Sequence, residues 1–216
     1  MTPLRLEGKL VIATHNPGKY AELQELLAPY AIEALSAAEF GLPEPEETGA
    51  NFGENAILKA RAAAQGANMP ALADDSGFCI HVLGGAPGIH SARWAGKARD
   101  FAAAMAKVER EVRAAKAHPP FAAHFACVLA LAFPDGEAET FEGKVSGELV
   151  FPPRGGLGFG YDPIFLPEGF SETFGEMTAQ QKHGIPPDGS QGLSHRARAF
   201  QAFAQSLLAR RTLNLF

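Results

Sequence analysis

The stretch Leu10-Val-Ile-Ala-Thr14-His-Asn16-Pro17-Gly18-Lys19 constrains the fold most, because a short apolar run passes directly into a helix start. The run Leu10 to Ala13 is bounded by turn formers, as a buried parallel strand is. Asn16 suits an N-cap and Pro17 the first helical position, while Tyr20, Leu23, Leu26 and Leu27 continue at helical spacing. The unpaired amides and positive dipole end of such a helix would face the strand's carboxyl end beside the Lys19 ammonium, a good place for a phosphate. An ordinary β-to-α turn with a solvated lysine leaves the same signature.

Strand and helix signals alternate along the rest of the chain. Pro43 to Gly49 reads as a polar loop ending in Asn51-x-x-Glu54, a capping box, and the next helix places Ile57, Ala60 and Ala64 on one face. Leu72 to Ile80 reads as a strand interrupted or turned at its polar centre. Phe101, Met105, Val108 and Val112 mark an amphipathic helix, and Phe125 to Phe133 a central strand. Thr140, Phe141, Val145 and Val150 favour a further strand, and a last helix from about Ser194 turns Phe200, Phe203, Leu207 and Leu208 inward. This order predicts an α/β fold, and 216 residues suit one folding unit over 1–216 or two lobes sharing a sheet.

With 19 Lys+Arg against 24 Asp+Glu the formal charge is −5, which argues against a surface that grips nucleic acid. Cys79 and Cys127 lie in apolar runs without metal-ligand spacing and are expected as reduced core thiols, which suits a cytoplasmic protein. No apolar run approaches membrane-spanning length, so neither a membrane nor secretion is expected.

Besides the helix start, four features could carry chemistry. Asp74-Asp75-Ser76-Gly77 sets two carboxylates on opposite faces of an extended chain, so one of the pair enters a given cleft. A carboxylate there can help hold Mg²⁺, which completes its shell with water and substrate phosphates; an Asx-turn with surface aspartates is the alternative. Glu47, in the acidic loop, could supply another metal carboxylate, with Lys59 on the helix behind it, whereas Glu54 has a capping role. The glycine-rich run Gly155 to Pro163 offers Phe159 or Tyr161 as a π-face for a base, or is a flexible loop with its aromatics in the core. Finally, Lys182 and Ser194-His195-Arg196 put an arginine in a first helical turn, against the dipole, and an anionic or carbonyl-rich ligand would compensate it; a solvated helix start is the other reading.

Taken in order, Ala13 to Lys19, Glu47 to Phe52 with Glu54 to Arg61, Ala73 to Gly77 with Gly84 to Gly88 and Ser91 to Arg93, Gly158 to Phe165, and Ser194 to Ala197 resemble the non-canonical purine NTP pyrophosphatases, also called inosine triphosphatases or dITP/XTP pyrophosphatases. The resemblance implies hydrolysis of ITP, dITP and XTP to the monophosphate and pyrophosphate, two lobes on a long mixed β-sheet with the nucleotide between them, and a homodimer. By position it implies that Thr14, His15, Asn16, Pro17, Gly18 and Lys19 hold the phosphates and that Glu47 and Asp75 serve Mg²⁺. Asp75 is then also the proton acceptor, and Ser76 contacts substrate. Phe159, Gly160, Tyr161, Asp162, Lys182, His195 and Arg196 surround the base and ribose, and Lys59 joins the substrate-binding set.

His195 and Arg196 can donate to a purine 6-oxo group, where adenine would present donor to donor. A nucleotide pyrophosphatase for a different modified base is the nearest alternative. A serine hydrolase is disfavoured without a Gly-x-Ser-x-Gly elbow, and a P-loop NTPase because Tyr20 follows Lys19 where Ser or Thr is required. The Pro- and Gly-rich link His183 to Leu193 is longer than in some family members and reads as a loop or mobile flap. His15 replaces a frequent glycine and is expected to touch phosphate or to fill the turn.

Overall fold

The computed structural model describes residue 6, residues 8–30 and residues 32–212, the side chains of 207–212 excepted. Strand β1 (Lys9–Ile12) enters helix α1 (Pro17–Leu27), followed by β2 (Glu33–Ser36), α2 (Phe52–Ala67) and β3 (Ala71–Ile80). A short α3 (Ser91–Trp94) and α4 (Phe101–Ala114) lead to β4 (Ala122–Ala132), β5 (Ala138–Leu149), β6 (Phe165–Pro167), α5 (Ala179–His183) and α6 (His195–Thr212). Together the strands form one mixed sheet in the order β2-β1-β3-β4-β5-β6, with β1 parallel to both neighbours and the remaining pairs antiparallel.

Local chemistry sets the helix starts. The Asn16 side chain accepts from the Gly18 and Lys19 amides, and Pro17 needs no partner for an N–H it lacks. Asn51 caps α2 through the Glu54 amide, while the Glu54 carboxylate accepts from the Ala50 amide and the Asn51 side chain, one residue off the reciprocal bond expected. α6 starts at His195, as the sequence indicates; the side chains of Leu207 and Leu208 lie outside the described set.

Strand β3 corrects the expected interruption. All ten of its residues pair with β4, from Ala71 opposite Ala132 to Ile80 opposite Ala123. Polar residues persist through its centre because alternation delivers each to a polar partner, and the backbone ladder is indifferent to side-chain type.

The same alternation builds the core. One face of the sheet packs Leu72, Leu129, Leu131 and Phe141 against Leu23 and Leu27 of α1 and Phe200 and Phe203 of α6. The other face packs Ala71, Ala73, Val128 and Ala130 against Ala56, Ala60, Ala63 and Ala64 of α2, small residues on both sides. Farther along β3 and β4, Phe78, Phe125, Phe165 and Phe174 join Val108 and Val112 of α4 in a second lobe. The two lobes thus share the long strands β3, β4 and β5, and a cleft lies between α1 and the second lobe. Among the described residues no helix is long and apolar enough to cross a membrane.

Helix α6 meets β5 at Gly143, where an added Cβ would collide with the His195 carbonyl and the Ala199 amide, both backbone. Gly143→Ala should therefore cost about 1–3 kcal/mol through overpacking, a fall in Tm of about 3–10 °C for a chain of this size. Circular-dichroism melting checks this; a Tm within about 1 °C of the parent would show that the helix can retreat without loss.

Candidate functional site

β1 pairs with β3 only at Val11–Ala71 and Ile12–Leu72, so beyond Leu72 the edge of β3 faces the Thr14–Lys19 turn instead of a strand. Such a split at the carboxyl ends of parallel strands is where α/β sheets hold ligands. In the turn, Thr14 accepts from the Asn16 amide. The first-turn amides expected to be free are not: Gly18 and Lys19 donate to the Asn16 side chain at 2.9 and 3.3 Å. A phosphate here would meet the dipole and Lys19, and would have to compete with Asn16 for the amides. The His15 ring turns to the Leu42 carbonyl at 3.2 Å and the Glu44 carboxylate at 4.0 Å, so it fills the turn from the loop side.

Asp74 and Asp75 point to opposite faces. On the α1 and α6 face, Asp74 is 1% exposed and accepts from Lys19 at 2.5 Å, Arg196 Nε at 2.9 Å, the Ser76 hydroxyl at 3.0 Å and the Cys127 thiol at 3.0 Å. Burial works to raise its pKa, but Arg196 and Lys19 outweigh it and hold the carboxyl well below its ordinary value. A surface Asx-turn is thereby excluded. Arg196 is 1% exposed, and its other contacts are Glu22 and, at 3.2 Å, Ser76. The charge that compensates an arginine in a first turn is accordingly supplied by two protein carboxylates, a correction to the ligand expected.

On the α2 face, Lys59 bridges Glu47 at 2.8 Å and Asp75 at 3.1 Å, and Asn55 donates to the other Asp75 oxygen at 3.3 Å. Burial raises the Asp75 pKa, with Glu47 adding and Lys59 and Lys19 opposing, and the net shift is upward. For Glu47 burial pushes up too, but the bond and charge of Lys59 prevail and the net shift is downward. Lys59 in turn is raised, since the pull of Asp75 and Glu47 exceeds its own desolvation. The acidic loop is held by Arg93, which donates to the Glu47 carbonyl at 3.1 Å, and by the Gly49 amide bonded to Asn55.

Two carboxylates that already share one cationic partner fit a hard divalent cation of the Mg²⁺ type, which takes one or two carboxylates and fills its shell with water and phosphate oxygens. Among the described residues no group of three His, Cys, Asp or Glu side chains forms a closed metal cage.

The glycine-rich loop crosses to the first motif: a Cβ at Gly18 would lie 3.3 Å from the Phe159 ring, which is 40% exposed. Tyr161 goes the other way, buried with its hydroxyl on the Ser91 carbonyl at 2.9 Å, and stacks on Phe78. Asp162 accepts from Lys182 at 2.8 Å and from the Phe159 amide at 3.3 Å, which fixes the loop's return. His195 lies flat on Phe125, centroids 4.9 Å apart, with its pKa driven well below normal by burial and then by Arg196, so the ring is neutral. Its Nδ1 and Arg154 Nε are the buried side-chain atoms without a hydrogen-bond partner among the described residues.

These groups surround one cavity of about 90 Å³ whose walls include Lys19, Ser76, Phe159, Gly160, His195 and Arg196. Glu22 and His183 also line it and were missed in the sequence, although Glu22, three residues after Lys19 in α1, shares its helical face. Asp75, Glu47 and Lys59 lie on the other side of β3 and do not line this cavity, but Lys19 is close enough for its charge to act on both carboxylates.

The chain's relatives can now be set beside this geometry. The sequence model of the Ham1 family matches residues 10–206. A dITP/XTP pyrophosphatase of Rhodopseudomonas palustris is 61% identical over 207 residues, 95% of this chain and 98% of that protein. One from a Bradyrhizobium species is 58% identical over 209 residues, 96% of this chain and 97% of that protein. Among solved structures, a HAM1 protein from Coxiella burnetii has a TM-score of 0.80 at 38% identity, covering 95% of this chain and all of its own.

Removing Arg196 would strand Asp74 and Glu22 in the interior, so Arg196→Ala should cost about 3–5 kcal/mol in urea unfolding at neutral pH. Burial works to raise the Glu22 pKa, but Arg196 and then His183 prevail and bring it from 4.5 to about 2. A depressed carboxyl stabilises fully above its unfolded value and loses that contribution as pH falls through the folded one. Stability should thus fall between about pH 4.5 and 2 in the parent, and more shallowly in Arg196→Ala. Equal slopes in the two proteins would show that Arg196 does not hold Glu22 ionised.

Proposed function

The chain belongs to the Ham1 family, and from that premise we propose that it is a nucleoside triphosphate pyrophosphohydrolase, cleaving dITP, XTP and ITP to the monophosphate and pyrophosphate. The observation that carries the base preference is the neutral ring of His195, stacked on Phe125 and lining the cavity that also contains Lys19. A buried donor without a partner rewards a ligand that supplies an acceptor there and penalises one that does not. When the ring nitrogen that faces the cavity carries the proton, the 6-oxo group of hypoxanthine or xanthine satisfies it, while adenine's 6-amino group sets donor against donor. The exposed Phe159 ring offers a stacking face for that base.

At the other end, Lys19 and the dipole of α1 attract the triphosphate and stabilise the charge that develops on pyrophosphate as it leaves. Glu47 and Asp75 are the residues that would hold Mg²⁺, whose chemistry when bound is to neutralise and polarise phosphoryl oxygens. In-line attack of water on the α-phosphorus forms one P–O bond and breaks the bond to the β-phosphate oxygen, and Asp75 accepts the water's proton. Its upward-shifted pKa suits that task, because a stronger base takes the proton more readily. Lys59, between the two carboxylates, positions both.

A panel of nucleoside triphosphates assayed separately for pyrophosphate and orthophosphate tests the reading. Pyrophosphate should appear from dITP, XTP and ITP in preference to ATP, only with a divalent cation present; orthophosphate as the first product would overturn it. Asp75→Asn keeps the shape but removes the basicity, and should lower kcat at least ~10²-fold. In the parent, rate should fall on acidification through a pKa above the ordinary 3.8 of an aspartate, as the base becomes protonated. Near-normal turnover in folded Asp75→Asn would place the catalytic carboxylate elsewhere.

A further inference from the structure

The link between Lys182 and Ser194 is not a free flap. Its ends are joined, because the Ser194 amide donates to the Lys182 carbonyl at 2.9 Å. Between them a turn closes from the Gly189 amide to the Pro186 carbonyl, and Ile185 packs against the apolar cluster under α1 and α6. The outer part is clamped by α6. Gln201 accepts from the Gly192 amide at 2.7 Å and donates to the Ser190 carbonyl at 2.8 Å, so a single side chain satisfies two backbone groups of the loop's returning arm. Arg198 adds a bond from Nε to the Gly192 carbonyl at 2.9 Å and one from Nη1 to the Lys144 carbonyl of β5 at 2.7 Å. Neither Gln201 nor Arg198 lines the nucleotide cavity; both border a separate polar hollow on the outer side of α6.

What the clamp holds is the base-side wall. At one end of the strap Lys182 reaches Asp162, and His183 bridges the Ser194 hydroxyl at 3.0 Å and the Glu22 carboxylate at 3.1 Å. At the other end the Ser194 hydroxyl accepts from the Ala197 amide and opens α6 at His195. A link rich in Gly and Pro has no helix or strand of its own to keep these ends in register, so bonds from outside must restrict it.

We propose that Gln201, with Arg198, is a positioning residue for base selection: it latches the 184–193 strap to α6 and thereby fixes Lys182, His183 and His195 around the base. This rests on the reading of the cavity as the nucleotide site. It acts on binding and selectivity, and leaves the Glu47, Asp75 and Lys59 group across β3 untouched.

The test is Gln201→Leu, which keeps size and helix propensity but removes both strap bonds, beside Gln201→Glu, which retains the acceptor for Gly192. For Gln201→Leu, hydrogen exchange at the Gly192 amide should quicken. KM for dITP should rise about three- to tenfold with kcat within about twofold, ATP turnover should be unchanged, and the dITP:ATP ratio of kcat/KM should fall accordingly. Gln201→Glu should recover part of that ratio. A Gly192 amide that exchanges no faster, or a folded variant with faster exchange but unaltered KM and ratio, overturns the inference and leaves the proposed activity standing. Equal loss of kcat on both nucleotides also overturns it, since that marks a general structural defect. If the parent releases no pyrophosphate from dITP, the proposed activity itself fails, and the strap's role in base selection with it.

Discussion

Four donors on one buried carboxylate hold the active half of this protein together. Asp74 draws Lys19 from α1, Arg196 from α6, Ser76 from its own strand and Cys127 from β4. No water-exposed charge could do this, because exposed pairs pay side-chain entropy for little gain. Nor need the cluster add net stability: taking charges out of water costs as much as their attraction returns, and an apolar set of similar volume would pack as well. What it supplies is geometry. Each partner is strongly penalised for leaving, so the helix carrying Lys19 and the helix carrying His195 and Arg196 are both referred to one point on β3.

The period of a β-strand then separates two kinds of chemistry on adjacent residues. Asp74 is bonded by Arg196 and Lys19 and its pKa is held low; Asp75 is bonded by one lysine that it shares with Glu47, and burial moves its pKa up against Lys59 and Lys19. Two carboxylates adjacent in sequence thus titrate in opposite directions, distinguished by the cations each face presents. The early end of β1 matters as much, because beyond Leu72 the edge of β3 is left to the Thr14–Lys19 turn, and the charge of Lys19 acts on Asp74 and also on Asp75 and Glu47 of the other face.

Legibility in the sequence followed the range of the interactions. The strand-to-helix passage at Leu10 to Lys19, the Asn51 cap and the α6 start are local, decided by residues within a few positions, and each is where the sequence puts it. The two-lobed mixed sheet came from the family resemblance, since no periodicity tells a parallel neighbour from an antiparallel one. Asp74 to Ser76 read as a break because three consecutive polar residues resemble a turn, and only the full pairing with β4 shows otherwise. The capture of the first-turn amides by Asn16 illustrates the same limit: the residue that marks a helix start also consumes the donors that make the start attractive to anions. Glu22 and Asn55 were invisible for a different reason, since their partners are Arg196 and Asp75, distant in sequence.

The imbalance left in this network is informative in its own right. Nearly every buried polar group around the cleft is paired inside the protein: Lys182 with Asp162, Tyr161 with Ser91, Arg196 with Asp74 and Glu22. His195 Nδ1 is not, although Phe125 beneath it and Arg196 beside it fix the ring and keep it neutral. The His195 ring nevertheless lines the cavity, held against Phe125, so a ligand there meets a ring whose position the protein has already set. The Asp75 side differs in kind, for there Asp75 already has Lys59 and Asn55 as partners, and any ligand must compete with bonds the protein makes to itself. In the proposed reading base choice rests on the placed His195 ring and catalysis on exchange at Asp75, so a change in the supports of His195 should reach the choice of base before it reaches the chemistry.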